Sequence, residues 1–260
     1  MPKFSKRNQL ILKIKFILLV LIFPSLPTFA IKGGTKSDIR NEPWTVGIVC
    51  NVTFCGGSIL KESFVLTAAQ CVQGIPASMI NIHYGSNQRL SGGRFALGEK
   101  IFTIRFRPET MANDIAIIKT KEPMKLDNIT SKAIQLPTLL YDPEPESTVL
   151  VSGWGATKSG SHTYSNDLMA ANFTVVDREA CQEKFKHLRE EKLITEEVFC
   201  AGGSEFGEQY IEYGDTGDPA VQNATVFGVA SSPPNPPEFP SIFTRVGSFV
   251  RDIFDIINKK

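Results

Sequence analysis

The sequence has little of what metal binding and nucleic-acid binding require. Its 260 residues include only three histidines and five cysteines, and these form neither a His-Glu-x-x-His nor a Cys-x-x-Cys motif. The spacings that usually mark a zinc site are therefore missing. The formal net charge is only +1, without the basic surplus that DNA- and RNA-binding domains carry. We expect no metal, no cofactor and no nucleic-acid partner.

Acidic residues are absent from the beginning of the chain. Residues 1–30 hold five basic residues, so removing them from the total of 28 leaves 23 basic against 27 acidic residues. The apolar run from Phe16 to Phe23 is too short to cross the ~30 Å hydrocarbon core of a bilayer. A basic start, a short apolar run and small residues before Ala30 are typical of a secretory signal peptide. The sequence thus predicts a signal peptide over residues 1–30 and a secreted, extracellular domain over residues 31–260, with no membrane contact after signal removal.

The remaining chain lacks internal repeats, long linkers and extended helical patterns. Short apolar runs are separated by Gly, Pro, Asn and Ser, a pattern that favours many antiparallel strands in a sandwich or barrel. Helical spacing of apolar residues occurs clearly only from Val246 onward, where Phe249, Val250, Ile253, Phe254 and Ile257 would share one face. We therefore expect an all-β fold with one C-terminal helix.

Several segments together resemble the trypsin/chymotrypsin-like serine proteases, in that family's order. They are Ile31 to Gly34, Pro43-Trp44, Cys55 to Leu60, Val65 to Cys71, Asn113 to Ile118, Val151 to Gly155, Phe199 to Gly202, Gly214 to Pro219 and Phe243 to Val246. The resemblance implies two six-stranded antiparallel barrels with a cleft between them. Residues 69–85, 124–126 and 132–137 are similar to mite group 3 allergen proteases, and especially to the inactivated serine protease paralogues of the scabies mite.

The resemblance places the family's catalytic positions on Gln70, Asp114 and Thr216. The family uses a histidine base, a serine nucleophile and a carboxylate that orients the base. The amide of Gln70 has no nitrogen that titrates near neutral pH, so the Thr216 hydroxyl stays a neutral alcohol. The chain's histidines fall in segments that the resemblance does not assign to the cleft: His83, His162 and His187. We expect no catalytic residues in this chain.

The resemblance also locates the family's substrate pocket and oxyanion loop. Its pocket floor falls on Tyr210, where a phenol would fill the space and offer no carboxylate to Lys or Arg. Its pocket walls fall on Pro233 and Ser241, so we expect a blocked pocket. The oxyanion donors would be the backbone N–H groups of Gly214 and Thr216.

In the family, a freed N-terminal amine pairs with an aspartate and orders the active-site loops, and the resemblance assigns this pair to Ile31 and Asp215. Ala30 precedes Ile31, where an activating protease would need Lys or Arg. We hypothesise that signal removal alone frees Ile31; a junction elsewhere is the alternative. Asp218 replaces a glycine of the family's pattern, which would distort the oxyanion loop.

The five cysteines are an odd number, so at least one is unpaired or bonded to another chain. The resemblance implies the disulfides Cys55–Cys71 and Cys181–Cys200. Cys50 is then a buried free thiol, which we favour, or a link to a second chain. We expect a monomer. Four N-x-S/T sequons are glycosylation candidates in a secreted chain, at Asn51, Asn128, Asn172 and Asn223.

The sequence predicts a catalytically inactive serine protease homologue that works as a binding protein or decoy. The resemblance to the scabies mite paralogues implies host proteins as partners, notably complement components, and hence complement inhibition and immune evasion. We expect surface loops to make the contact. One alternative is a weakly active serine-type endopeptidase that uses Thr216, and another is a storage or purely structural secreted protein.

Overall fold

The structure is a computed structural model that describes residues 31–259 apart from residue 32, 51–52, 157–160, 187, 189, 204–208 and 233–238. Four of the predictions fall outside the described residues, namely the signal peptide over residues 1–30, Asn51, His187 and Pro233. The described residues form thirteen β-strands and two α-helices.

The first barrel is built from strands in the first half of the chain. The first half of the chain contains β1 Thr35–Lys36, β2 Thr45–Cys50, β3 Thr53–Lys61, β4 Phe64–Thr67, β5 Ile80–Tyr84, β6 Arg94–Thr103 and β7 Ala116–Thr120. Strand β1 does not belong to this barrel. Strands β2 to β7 close into an antiparallel barrel in the order β2-β3-β4-β7-β6-β5. Alternate residues of a strand point to the same side, and Val46 and Ile48 of β2 are fully buried with Val65 and Ile82.

The second barrel follows in the second half. Its strands are β8 Thr148–Gly153, β9 Met169–Val176, β10 Val198–Ala201, β11 Pro219–Gln222, β12 Thr225–Ser232 and β13 Ser241–Arg245. They run in the order β9-β10-β13-β12-β11-β8, the pairing of β8 with β9 closes the barrel, and β1 extends it beside β9. Phe173, Phe243, Val149 and Val151 are fully buried inside. The prediction of two six-stranded antiparallel barrels is confirmed.

The predicted C-terminal helix is present but shorter than the sequence pattern indicates. Helix α1 spans Arg178–Lys186 and helix α2 spans Val250–Asn258. Val246–Phe249 forms a 3₁₀ turn ahead of α2. Ile253 and Ile257 of α2 are buried, whereas Phe254 is 60% exposed, so the apolar face is narrower than expected. No helix of the described residues is long and apolar enough to cross a membrane.

Both disulfides that the resemblance implies are present. Cys55 on β3 is bonded to Cys71, and Cys181 on α1 is bonded to Cys200 on β10. Cys50, at the end of β2, is a buried free thiol. Burial raises the pKa of this thiol to about 11, so the neutral form dominates under ordinary conditions.

The two barrels meet along a polar seam. The hydroxyl groups of Thr45 on β2 and Ser152 on β8 lie 2.7 Å apart and share a buried hydrogen bond. The backbone N–H of Gly56 on β3 donates to the carbonyl oxygen of Thr216 at 2.8 Å. This junction brings together segments that are more than a hundred residues apart in the chain, and the predicted site residues lie beside it.

Candidate functional site

Gln70 occupies the 3₁₀ turn Ala69–Cys71, directly after β4. Its Nε2 donates to Oδ2 of Asp114 at 2.6 Å and to the backbone carbonyl of Ser231 at 2.8 Å. Its backbone N–H donates to Oδ1 of Asp114 at 2.9 Å. Because both neighbours of Nε2 are acceptors, the NH₂ end of the amide faces them and uses both hydrogens. Such a nitrogen cannot take a proton from an alcohol.

Asp114 precedes β7 and is 1% exposed. Oδ2 also accepts a hydrogen bond from the Ser231 hydroxyl at 2.7 Å, and the backbone carbonyl of Asp114 accepts one from the Thr244 hydroxyl at 2.9 Å. Burial raises the pKa of Asp114, while the hydrogen bonds from Gln70 and Ser231 oppose that shift. The carboxyl group thus anchors donors from both barrels. Neither Ser231 nor Thr244 could be predicted as a partner from the sequence, because neither has a local motif that links it to Asp114.

Thr216 lies in a tight loop before β11, between two glycines in left-handed backbone conformation. Gly214 has φ of +94° and Gly217 has φ of +92°, a region that residues with a Cβ rarely adopt. Gln70, Gly214 and Thr216 line a cleft of about 310 Å³. Within the described residues, the Thr216 hydroxyl has no hydrogen bond to Gln70. The arrangement therefore lacks the bonded base that would activate a nucleophile.

The structure corrects the placement of His162, which the sequence analysis kept away from the cleft. His162 lines the same cleft as Thr216. Its ring centre lies 4.9 Å from that of Tyr213, and no hydrogen bond joins it to Thr216 among the residues described. The polar segment around His162 reaches the cleft through tertiary folding that sequence spacing does not reveal. His83, in contrast, is buried on β5, and its ring nitrogens lie 2.8 and 2.9 Å from backbone carbonyl oxygens.

Aromatic side chains form another wall of the cleft. Phe54 and Tyr164 line it, with their ring centres 5.8 Å apart. The guanidinium carbon of Arg89 lies 5.3 Å from the Phe54 ring centre and 5.4 Å from that of Tyr164, at cation–π distance. These residues come from three distant segments, so no local motif predicts their contact.

Asp215, next to Thr216, is fully buried. Its Oδ1 accepts a hydrogen bond from the Gly155 N–H at 2.8 Å and its Oδ2 one from the Glu212 N–H at 2.9 Å. Burial raises the pKa of Asp215 to about 7 despite these bonds. Ile31 is also fully buried and belongs to the core of the second barrel. Its φ of +50° is unfavourable for a β-branched residue.

Asp218 is a second buried carboxyl group in the same loop. It is fully buried, and neither oxygen has a hydrogen-bond partner among the described residues. A Cβ on Gly56 of β3 or on Gly153 of β8 would overlap the Asp218 carboxyl, so this group fills space between a glycine of each barrel. Burial, reinforced by the charge of Asp215, raises the pKa of Asp218 well above its usual value. Both effects favour the neutral acid over the carboxylate.

These barrels, the cleft and its residues can be compared with known proteins. The family model described as Trypsin matches residues 31–253. The chain belongs to the trypsin family. The trypsin Blo t 3 of Blomia tropicalis is 32% identical over 225 residues, which cover 85% of this chain and 84% of that protein. The resemblance stated from the sequence is thus confirmed.

Two solved structures of scabies mite proteins resemble this trypsin-family chain. The inactivated protease paralogue S-D1 is 56% identical with a TM-score of 0.85, covering 87% of this chain and 97% of that one. The inactivated protease paralogue S-I1 is 39% identical with a TM-score of 0.78, covering 86% of this chain and 99% of that one. This similarity supports an inactive serine protease homologue.

The predicted pocket residues of this trypsin-family chain take different positions. Tyr210 is half-buried, whereas Ser241 is fully buried on β13. The Ser241 hydroxyl accepts a hydrogen bond from the backbone N–H of Ile211 at 3.0 Å, and so holds the segment that follows Tyr210. The blocked pocket remains a prediction. Across the described residues, no group of three or more His, Cys, Asp or Glu side chains could hold a metal ion.

Proposed function

We propose that this chain is a secreted, catalytically inactive trypsin-family protein that binds host proteins as a decoy, with complement components as its partners. One observation carries the proposal: the Gln70 amide donates both Nε2 hydrogens, to Asp114 and to the Ser231 carbonyl. A group that occupies the base position as a donor cannot accept the proton of an attacking alcohol. Binding without turnover is the activity that this scaffold retains.

The loss of catalysis follows from the substitutions at the family's catalytic positions. Gln70 and Thr216 stand where the family has histidine and serine, and Asp114 is kept. Losing one member of such a triad costs on the order of 10⁴–10⁶ in rate. The similarity to the inactivated paralogue S-D1 supports the same conclusion. A protein that cannot cleave what it binds can compete with active enzymes for their partners.

A binding experiment tests this proposal. The purified chain, immobilised, is exposed to host plasma, and captured proteins are identified by mass spectrometry and titrated. The matched control is an active trypsin-family protease whose serine has been replaced by alanine, because it shares the barrels without the surface loops of this chain. Saturable capture of complement components, with reduced complement lysis, is the expected result. Absence of any saturable partner would favour a storage or structural role instead.

The proposal includes a mature chain that begins at Ile31 after signal removal, with its amine paired with Asp215. Two observations support it: Ile31 is fully buried, and its φ of +50° is strained while a residue precedes it. A free amine has no preceding peptide, so cleavage before Ile31 removes that restriction. N-terminal sequencing of secreted protein tests this, and a first residue other than Ile31 would contradict it.

A weak endopeptidase is the second candidate function. It is favoured by one observation, that His162 and Thr216 line the same cleft. A sensitive assay with mixed peptides decides between the two. We expect no turnover above a buffer blank. Turnover that both Thr216→Ala and His162→Ala abolish would establish the enzyme instead.

A further inference from the structure

A groove on the first barrel lies next to one of the sequons. Its volume is about 570 Å³, within the ~300–1,000 Å³ range of sites that hold a small ligand. It lies between residues 61–64, which include the β3–β4 turn, and residues 126–133. Phe64, Leu126 and Ala133 give it apolar surface, and Lys132 and Glu62 give it charged hydrogen-bonding groups.

Asn128, the first residue of the sequon Asn128-Ile129-Thr130, lines this groove and is exposed. Its φ is +61°, a conformation in which asparagine is enriched. The turn is held by Asp127, whose Oδ1 accepts hydrogen bonds from the backbone N–H groups of Ile129, Thr130 and Ser131 at 2.9, 2.8 and 3.0 Å. These bonds lower the pKa of Asp127, so its carboxylate holds the turn throughout the neutral range. A group attached to Asn128 therefore starts from a fixed position at the groove.

We infer that Asn128 carries an N-linked glycan whose innermost N-acetylglucosamine lies in this groove. A pyranose ring has an apolar face that suits Phe64 and Leu126, and hydroxyl and acetamido groups that can bond to Lys132 and Glu62. The sugar would cover apolar surface that is otherwise in contact with water. The inference rests on the proposed secretion, because the transfer takes place in the secretory pathway.

The modification is a group transfer from a lipid-linked donor oligosaccharide. The amide nitrogen Nδ2 of Asn128 forms a bond to the anomeric carbon of N-acetylglucosamine and loses one proton. The bond from that carbon to the donor's pyrophosphate breaks, and the pyrophosphate leaves with the electron pair. No oxidation or reduction takes place. The secreting cell supplies both the donor oligosaccharide and the transferase.

Asn223 provides a matched control for this position. It is the first residue of another sequon, it is exposed, and its φ of +48° is similar to that of Asn128. Asn223 lies instead in the turn between β11 and β12, on the second barrel. Replacing either residue by aspartate keeps the side-chain shape and the left-handed backbone while it removes the glycan.

The first measurement is occupancy. The chain from Ile31 onward is secreted from yeast with a yeast secretion signal in front of it. The result then does not depend on the native signal peptide or on any of the proposed binding partners. Glycopeptide mass spectrometry is expected to find Asn128 modified in most molecules. It should be unmodified in the Thr130→Ala variant and modified again in Thr130→Ser. An unmodified Asn128 in the secreted wild-type protein would overturn the inference.

The second measurement locates the sugar. Endoglycosidase H trims the glycan to one N-acetylglucosamine, and peptide N-glycosidase F removes it and leaves aspartate. We expect the trimmed protein to keep its melting temperature and the fully deglycosylated protein, like the Asn128→Asp variant, to lose about 2 °C or more. Hydrogen exchange in residues 61–64 and 124–133 should be slower with the single sugar present. Equal exchange with and without it would overturn the placement, and Asn223→Asp should change neither quantity.

Discussion

Gln70 donates a hydrogen bond of 2.6 Å from Nε2 to Oδ2 of Asp114, and the resemblance places the family's base and carboxylate at these two positions. In the family, a histidine bonded to the aspartate accepts the proton of the nucleophile. Gln70 cannot do so, because the second hydrogen of its Nε2 is donated to the Ser231 carbonyl. The proposed loss of catalysis rests on this arrangement, because an amide nitrogen that donates both hydrogens accepts no proton.

This hydrogen-bond network predicts that Gln70→Glu, which replaces the amide nitrogen with an oxygen, strongly reduces stability. The new carboxylate would face the Asp114 carboxyl and the Ser231 carbonyl, so two acceptors would lose their donor. We expect a loss of about 1–3 kcal/mol in unfolding free energy at pH 8. Because the folded-state pKa of the new acid is raised, stability returns as the pH falls to 5.

Urea unfolding at pH 5 and pH 8 measures this difference. Gln135→Glu is the control, because this substitution makes the same change in charge at a residue that is exposed on the surface. Equal stability of the two variants at pH 8 would contradict the prediction.

In a chain that keeps residues ahead of Ile31, so that no free amine pairs with Asp215, the buried pair Asp215 and Asp218 predicts that stability falls as the pH rises. Both pKa values are raised in the folded chain, so the folded state keeps protons that the unfolded chain releases above about pH 4. This stabilisation is complete below the unfolded pKa and, for Asp215, is lost as the pH rises through about 7. The isosteric Asp218→Asn variant removes one of the two titrations. Its stability should therefore depend less on pH and exceed that of wild type at pH 8.

Thermal unfolding between pH 4 and pH 8 gives the profiles to compare. Asp255→Asn, at an exposed position of α2, should follow the wild-type profile. If the Asp218→Asn profile is parallel to that of wild type, the Asp218 carboxyl does not titrate as described.

Restoring the catalytic residues should not restore trypsin-like cleavage. We expect the double variant Gln70→His and Thr216→Ser to hydrolyse peptides after Lys or Arg no faster than a blank. The reason is that the resemblance places Tyr210 at the position where such enzymes have an acid, and a phenol gives the cation no ion pair. The measurement is kcat/KM on Lys- and Arg-containing peptides, with the same double variant carrying Tyr210→Asp for comparison. Brisk cleavage by the double variant would show that Tyr210 does not block the pocket.

Cys50 should be unreactive in the folded protein. Its thiol is buried, and a pKa of about 11 leaves almost no thiolate at pH 8. Titration with a chromogenic disulfide reagent should find no reactive thiol in native protein and one per chain in denaturant. Absence of a thiol in denaturant, together with a dimer on a non-reducing gel, would mean that Cys50 links two chains.

The parts of the molecule that could be predicted are those with a local signal. The short apolar run that forms β2, which is buried along nearly its whole length, and the family segments around Gln70, Asp114 and Thr216 indicate the two barrels and the positions of those residues. Contacts between distant segments have no such signal. Ser231 reaches Asp114 across 117 positions of sequence, and His162 reaches the cleft from a polar loop. Phe254 shows the related failure, because helical spacing alone does not tell which apolar side chain meets the core.

The glycines on either side of Asp218 tie three distant positions to one another. With an aspartate at 218, any larger residue at Gly56 or Gly153 would collide with its carboxyl. In related sequences, aspartate at the position of Asp218 should therefore occur only where the positions of Gly56 and Gly153 are both glycine. Glycine at positions 56 and 153 must therefore precede or accompany the change to aspartate at 218, so the three substitutions can accumulate only in that order.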